Sequence, residues 1–107
     1  MNSKINLDIE LDANRVPKNI QWSAPDGGVD KSKADAFMLS VWDGKTKDTL
    51  KIDLWTKDML VDDMKKFYHQ TLLAMADSFK RSTNEDEMSE DIRDFAKYFA
   101  EKLKLIG

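Results

Sequence analysis

The chain has 107 residues, a formal net charge of −3 and no cysteine. This length predicts a single domain over residues 1–107, and the lack of cysteine excludes disulfides and thiolate chemistry. Charged residues of both signs make up 35% of the chain, and their slightly acidic balance argues against a nucleic-acid-binding protein.

Two short strands are predicted in the N-terminal quarter. Apolar and polar residues alternate strictly over 5–11, which is typical of a half-buried strand. Residues 12–17 end it with turn-forming Asp, Asn and Pro, and a shorter alternation over 20–24 predicts the second strand. A Pro-Asp-Gly-Gly turn follows at 25–28. The polar segment 29–35 is interpreted as a connector, either mobile or holding one helical turn.

A β-hairpin is predicted over residues 36–55, where two alternating apolar runs flank the polar turn 43–48. The apolar side chains of both runs fall on one face, which we expect to be buried beneath the rest of the chain. This face comprises Phe37, Leu39, Val41, Leu50, Ile52 and Leu54.

Two helices are predicted after the hairpin. The first has a clear helical pattern from Leu60, and its start is open between Thr56, Asp58 and a slightly later cap. Residues 81–87 are interpreted as a polar linker, and Ser89 as the N-cap of the second helix. The predicted apolar stripe of the first helix contains Leu60, Val61, Met64, Phe67, Tyr68, Thr71, Leu72, Met75, Ser78 and Phe79. The predicted seam of the second contains Met88, Ile92, Phe95, Phe99, Leu103 and Ile106.

The element order is therefore β-β-β-β-α-α. Strands followed by helices indicate an α+β fold, in which we expect a four-stranded, largely antiparallel sheet with both helices packed on one face. The order of the strands within the sheet cannot be read from the sequence.

Residue patterns typical of an enzyme are missing. His69 is the single histidine and falls on the polar side of the first helix, so we interpret it as a surface residue. The acidic run 85–94 lacks the ligand spacing of a calcium loop and is interpreted as a solvated helix entry rather than an electrostatic docking patch. No nucleophile motif or phosphate-binding loop occurs. The sequence thus predicts a non-enzyme without cofactor, metal or catalytic residues.

The face of the hairpin opposite the apolar one is the candidate protein-interaction site. Trp and Met are enriched where protein surfaces meet, and large apolar patches are uncommon on monomers. The alternative is that the connector 29–35 or the N-terminus covers both tryptophans locally. The candidate residues are Met38, Trp42, Lys51, Asp53 and Trp55.

Several segments of the chain resemble the gliding-motility protein GldC family of Bacteroidota. They are Asp26-Gly27-Gly28, residues 39–43, 52–59, 67–72, Arg93-Asp94-Phe95 and 98–103, of which 52–59 is the most specific. The resemblance implies a small cytoplasmic accessory protein of the gliding apparatus, which is linked to type IX secretion. It supplies no catalytic residues.

Two functions follow as hypotheses. The first is an adaptor or assembly factor that binds a protein of the gliding or secretion machinery, or a second copy of itself as a homo-oligomer, through the tryptophan face. The second is a holdase chaperone similar to SecB, suggested only by the shared order of four strands and two helices.

The N-terminus has no signal-peptide pattern and no stretch approaches about 18 apolar residues, so we expect a soluble, cytoplasmic protein without membrane insertion.

Overall fold

The computed structural model describes residues 1–105 and divides into two compact units, one from Met1 to Met59 and one that begins at Leu60. The strands lie in the first unit and the helices in the second. That the chain forms one domain stays a prediction. The elements are β1 (Asn6–Leu11), β2 (Pro17–Ala24), β3 (Val29–Ala34), β4 (Ala36–Asp43), β5 (Asp48–Trp55), α1 (Val61–Thr83) and α2 (Asp86–Lys102).

The first three strands form an antiparallel sheet with β2 in the centre. Ile20 of β2 lies opposite Ile9 of β1 and Ala34 of β3, and its side chain is 0% exposed. Paired residues point to the same face of a sheet, so these three form an apolar row across it. The strands predicted over 5–11 and 20–24 are confirmed, although Ile5 precedes the first of them.

Strand β3 corrects the prediction of a mobile or helical connector over 29–35. The chain turns in a 3-10 segment at Pro25–Gly27, and Gly28 has φ +76°, a left-handed conformation that glycine adopts without strain. The chain then returns antiparallel to β2. Because β3 is an edge strand in which only Val29 and Ala34 are half-buried, it needs no alternation of apolar residues, and the sequence pattern that marks strands is absent.

The predicted hairpin is confirmed as β4 and β5, which pair antiparallel from Ala36 opposite Trp55 to Asp43 opposite Asp48. It forms a separate two-stranded sheet. The α+β class is thus confirmed, whereas a single four-stranded sheet is wrong. Residues 1–105 contain five strands, so the four-strand order that suggested SecB is lost. The packing of helices on a sheet face stays a prediction.

The start of the first helix agrees with one of the predicted alternatives, whereas the start of the second does not. Helix α1 begins at Val61 with Leu60 as its N-cap, the latest of the starts considered. It continues to Thr83 and α2 begins at Asp86, so the predicted linker 81–87 is reduced to residues 84 and 85. Helix α2 has Glu85 as its N-cap, and the prediction that Ser89 caps it is wrong.

Small side chains occupy the buried line of the helical unit. Ser89, Ala96 and Ala100 of α2 and Ala76 of α1 are buried, whereas Phe95, from the predicted seam, is exposed. Helices approach most closely where side chains are small, so the contact line falls on these positions and the larger apolar residues move to its flanks. The exposed ones from the two predicted stripes are Leu60, Val61, Tyr68, Met75, Met88 and Phe95. Ile106, also predicted there, lies outside the described residues.

Ser89 supplies the first test of this packing. Its hydroxyl is buried and has no hydrogen-bond partner in residues 1–105, and such a group costs free energy. Ser89→Ala is expected to raise the free energy of unfolding by about 1 kcal/mol, measured by urea denaturation. The control is Ser82→Ala, which removes an exposed hydroxyl that donates to the carbonyl oxygen of Ser78 at 2.8 Å. A loss of about 1 kcal/mol in Ser89→Ala would contradict this account, because it would show that the buried hydroxyl stabilises the fold.

Asp12 joins the turn after β1 to the segment after β5. Its carboxylate accepts hydrogen bonds from the backbone N–H groups of Asn14 at 2.8 Å and Val16 at 3.0 Å, and it forms an ion pair with Lys57. The Lys57 ammonium, followed by the Val16 N–H, lowers the pKa of Asp12 from 3.8 to about 2.

This shift makes the contribution of Asp12 dependent on pH. A carboxylate with a lowered folded-state pKa stabilises the fold fully above its unfolded value and loses that contribution as pH falls through the folded value. The free energy of unfolding of the wild type minus that of Asp12→Asn should therefore be constant above about pH 5 and shrink between 3.8 and about 2. A difference that is the same at pH 7 and pH 2 would show that the ion pair contributes nothing.

Candidate interaction surface on the β4–β5 hairpin

The register of the hairpin places the five predicted site residues on one face. Met38 lies opposite Asp53, Trp42 opposite Thr49, and Trp55 opposite Ala36. Lys51 shares this face because it lies two residues before Asp53 on the same strand. We call this set, Met38, Trp42, Lys51, Asp53 and Trp55, the tryptophan face.

Both tryptophans are exposed at opposite ends of the tryptophan face. Trp42 is 62% exposed and Trp55 is 54% exposed, so local cover by residues 29–35 or by the N-terminus does not bury them. Trp55 pairs with Ala36, six positions along β4 from Trp42, which separates the two by about 20 Å at 3.4 Å per residue. The two tryptophans are therefore separate exposed side chains and do not form one cluster.

Polar groups and a half-buried methionine occupy the middle of the tryptophan face. Lys51 Nζ donates to Asp53 Oδ1 in a close ion pair. Both side chains are exposed, and Met38 beside them is half-buried. An exposed pair of this kind contributes little stability, but it gives the surface a defined polar centre between two aromatic ends.

The opposite face of the hairpin, predicted to be buried, is also largely exposed. Leu50 is 60% exposed and Ile52 is 51% exposed, with Val41 and Leu39 also exposed. Phe37 and Leu54, which pair with each other near the end away from the turn, are half-buried. The prediction of burial is therefore wrong for the other four residues.

A shallow pocket adjoins one end of the tryptophan face. Its lining combines Asp53 and Trp55 with residues of the turn between β1 and β2, which sequence reasoning did not single out. Arg15 and Val16 of the turn and Pro17, the first residue of β2, line it together with Asp53, Leu54 and Trp55. The only sequence signal for Arg15, Val16 and Pro17 is the turn-forming composition of 12–17. That composition predicts a loop, but it does not predict that the loop lies beside the end of β5.

The described residues hold neither a cluster typical of a metal centre nor a helix able to span a membrane. Within 1–105 there is no group of three or more His, Asp or Glu side chains placed to hold a metal ion. Neither helix in that range has the length and apolar character needed to cross a membrane. His69 is half-buried rather than fully on the surface.

Comparison with protein families gives one match that covers most of the chain. The family model described as "Gliding motility-associated protein GldC-like" matches residues 17–105. No curated protein and no solved structure matches the chain. The matched range includes the whole β4–β5 hairpin and both helices.

Proposed function

Because the chain belongs to the GldC-like family of gliding motility-associated proteins, we propose that it is a non-catalytic accessory protein of the gliding apparatus. In this proposal it works in the cytoplasm as an adaptor or assembly factor for the gliding machinery and the type IX secretion linked to it. The observation that carries the adaptor role is the exposure of Trp42 and Trp55 on one face of the hairpin.

The chemistry of the tryptophan face defines the partner surface that would fit it. Trp supplies a large apolar area with an N–H donor and is among the residue types enriched at binding hot spots. Two apolar pockets about 20 Å apart would accept the two rings. Between them, the partner would present polar groups that match Lys51 and Asp53, whose side chains are exposed.

A cross-linked pull-down of the tagged protein from a gliding bacterium tests the adaptor role. We expect one or two proteins of the gliding or secretion machinery, recovered in fixed ratio and lost when Trp42 and Trp55 are both replaced by serine. The matched control is Leu60→Ser, which changes an exposed apolar residue outside the tryptophan face. Recovery of the same proteins by the double variant would contradict the proposal.

One observation favours a holdase chaperone as a second candidate. The hairpin exposes apolar side chains on both faces, with Val41, Leu50 and Ile52 opposite the tryptophans, and holdases bind unfolded chains on such surfaces. This function predicts suppression of aggregation for several unrelated unfolded proteins at near-stoichiometric ratios, and a pull-down rich in unrelated secreted precursors. Absence of protection for every client tested would remove it.

A further inference from the structure

The β4–β5 sheet has open edges. Within residues 1–105, β4 and β5 pair only with each other, and a two-stranded sheet alone is marginally stable in water. Each strand has eight residues, and long unpaired edges of this kind are ready templates for another strand. An additional strand on one edge would bring the sheet into the size range that is stable.

Opposite charges flank the middle of β5. Lys51 and Asp53 lie on either side of Ile52, on one face of the strand, and their side chains are 47% and 33% exposed. Leu50 and Leu54 lie at equal distances from Ile52 on the other face. Over residues 50–54, apolar residues therefore lie at matching positions on either side of Ile52, and charges of opposite sign lie at the two positions next to it.

Twofold symmetry restricts how such a strand can pair with its own copy. Two identical antiparallel strands can be related by a twofold axis perpendicular to the sheet, which keeps each residue on the same face in both copies. Paired side chains also point to the same face, so paired residues are an even number of positions apart along the strand. One residue must therefore lie opposite its own copy. With Ile52 at the axis, Lys51 faces Asp53 of the second copy and Asp53 faces its Lys51. Leu50 then lies opposite Leu54, and each contact occurs twice. Such cross-strand pairs of opposite charge and of branched apolar residues are favourable.

Other registers and other edges do not show this complementarity. With Lys51 or Asp53 of β5 at the axis, that residue faces the same charge in the second copy. Edge strand β1 brings acid opposite acid when Asp8, Ile9 or Glu10 is at the axis, and the middle of β3 would bring lysine opposite lysine. Strand β4 carries a single charged residue, at its end, and offers no charge pair.

We propose that the edge of β5 docks β5 of a second copy of this chain, antiparallel about a twofold axis at Ile52. The two hairpins then form one continuous four-stranded sheet. Each residue of β5 then points to the same side of the joined sheet in both copies. The two tryptophan faces therefore lie on the same side of that sheet. This pairing does not rest on the proposed adaptor role.

Charge reversal tests the pairing by sedimentation equilibrium of the purified chain. The wild type is expected to dimerise. Lys51→Asp and Asp53→Lys should each weaken the dimer about tenfold or more, because symmetry turns two attractive pairs into two repulsive ones. The control is Lys45→Asp, which reverses a charge on an exposed residue of the hairpin turn and should leave the dimer unchanged.

Mixing distinguishes pairing between copies from damage within one copy. Equal amounts of Lys51→Asp and Asp53→Lys should form a mixed dimer, because each strand then meets charges of the opposite sign on the other. The double variant with both reversals should dimerise like the wild type. A monomeric wild type, single reversals no weaker than the control, or no association in the mixture would each overturn the proposal. Since no other protein is present, these results are separate from partner capture by the tryptophan face.

Discussion

Replacing Ile20 with alanine is expected to lower the free energy of unfolding by about 2–5 kcal/mol. Ile20 is 0% exposed in the central strand of the three-stranded sheet, between Ile9 and Ala34. Truncation removes buried apolar area and leaves a cavity, and two neighbouring strands limit how far the sheet can collapse into it. Urea denaturation followed by circular dichroism measures the change.

The matched control is Ile5→Ala. Ile5 is 72% exposed and lies just before β1, so this truncation should change the free energy of unfolding by less than about 0.5 kcal/mol. Equal losses in the two variants would contradict the assignment of the sheet interior to Ile20.

The second large effect is expected in partner binding. Trp42→Ser and Trp55→Ser should each cost about 2 kcal/mol of binding free energy, roughly thirtyfold in Kd, as buried tryptophan anchors do at protein interfaces. Because the two rings lie about 20 Å apart, their losses should add in the double variant. Titration calorimetry with the partner recovered by cross-linking gives both values.

Folding and binding must be separated in this experiment. Both tryptophans are exposed, so the double variant should keep the far-UV circular dichroism of the wild type. Leu60→Ser should bind the partner with unchanged affinity. Loss of the native spectrum in the double variant would instead show that these rings support the fold, and unchanged affinity would remove the tryptophan face as the binding site.

The sequence predicted those parts of the fold that local periodicity controls. The alternation over 5–11 and the paired runs of the hairpin led to the correct strands, and the cross-strand register places the six apolar residues of the hairpin on one face as expected. Face membership depends only on the period of two along a strand. For the same reason the sequence alone assigns the five candidate residues to one face.

Features that depend on pairing between distant segments could not be predicted. Strand β3 is held by its backbone pairing with β2, and its side chains carry no apolar pattern. The division into two sheets occurs at the single residue Asp35 between β3 and β4. An aspartate at this position does not by itself mark a boundary between sheets.

The helical unit shows a different limit. Several polar residues between Asn84 and Ser89 are good N-caps, and the choice of Glu85 cannot be made from residue types alone. The apolar stripe of α2 favoured Phe95 as a contact residue, whereas the buried positions include Ala96 and Ala100. Close approach of two helices favours small side chains at the contact. A hydrophobic pattern instead predicts large apolar side chains there.

Rescue of gliding tests the adaptor proposal most directly. A strain that lacks this gene would be complemented with the wild type, with the Trp42→Ser, Trp55→Ser double variant, or with Leu60→Ser, at equal protein levels. We expect the wild type and Leu60→Ser to restore colony spreading and the double variant to fail. Full restoration of spreading by the double variant would contradict the claim that the protein acts in gliding through its tryptophan face.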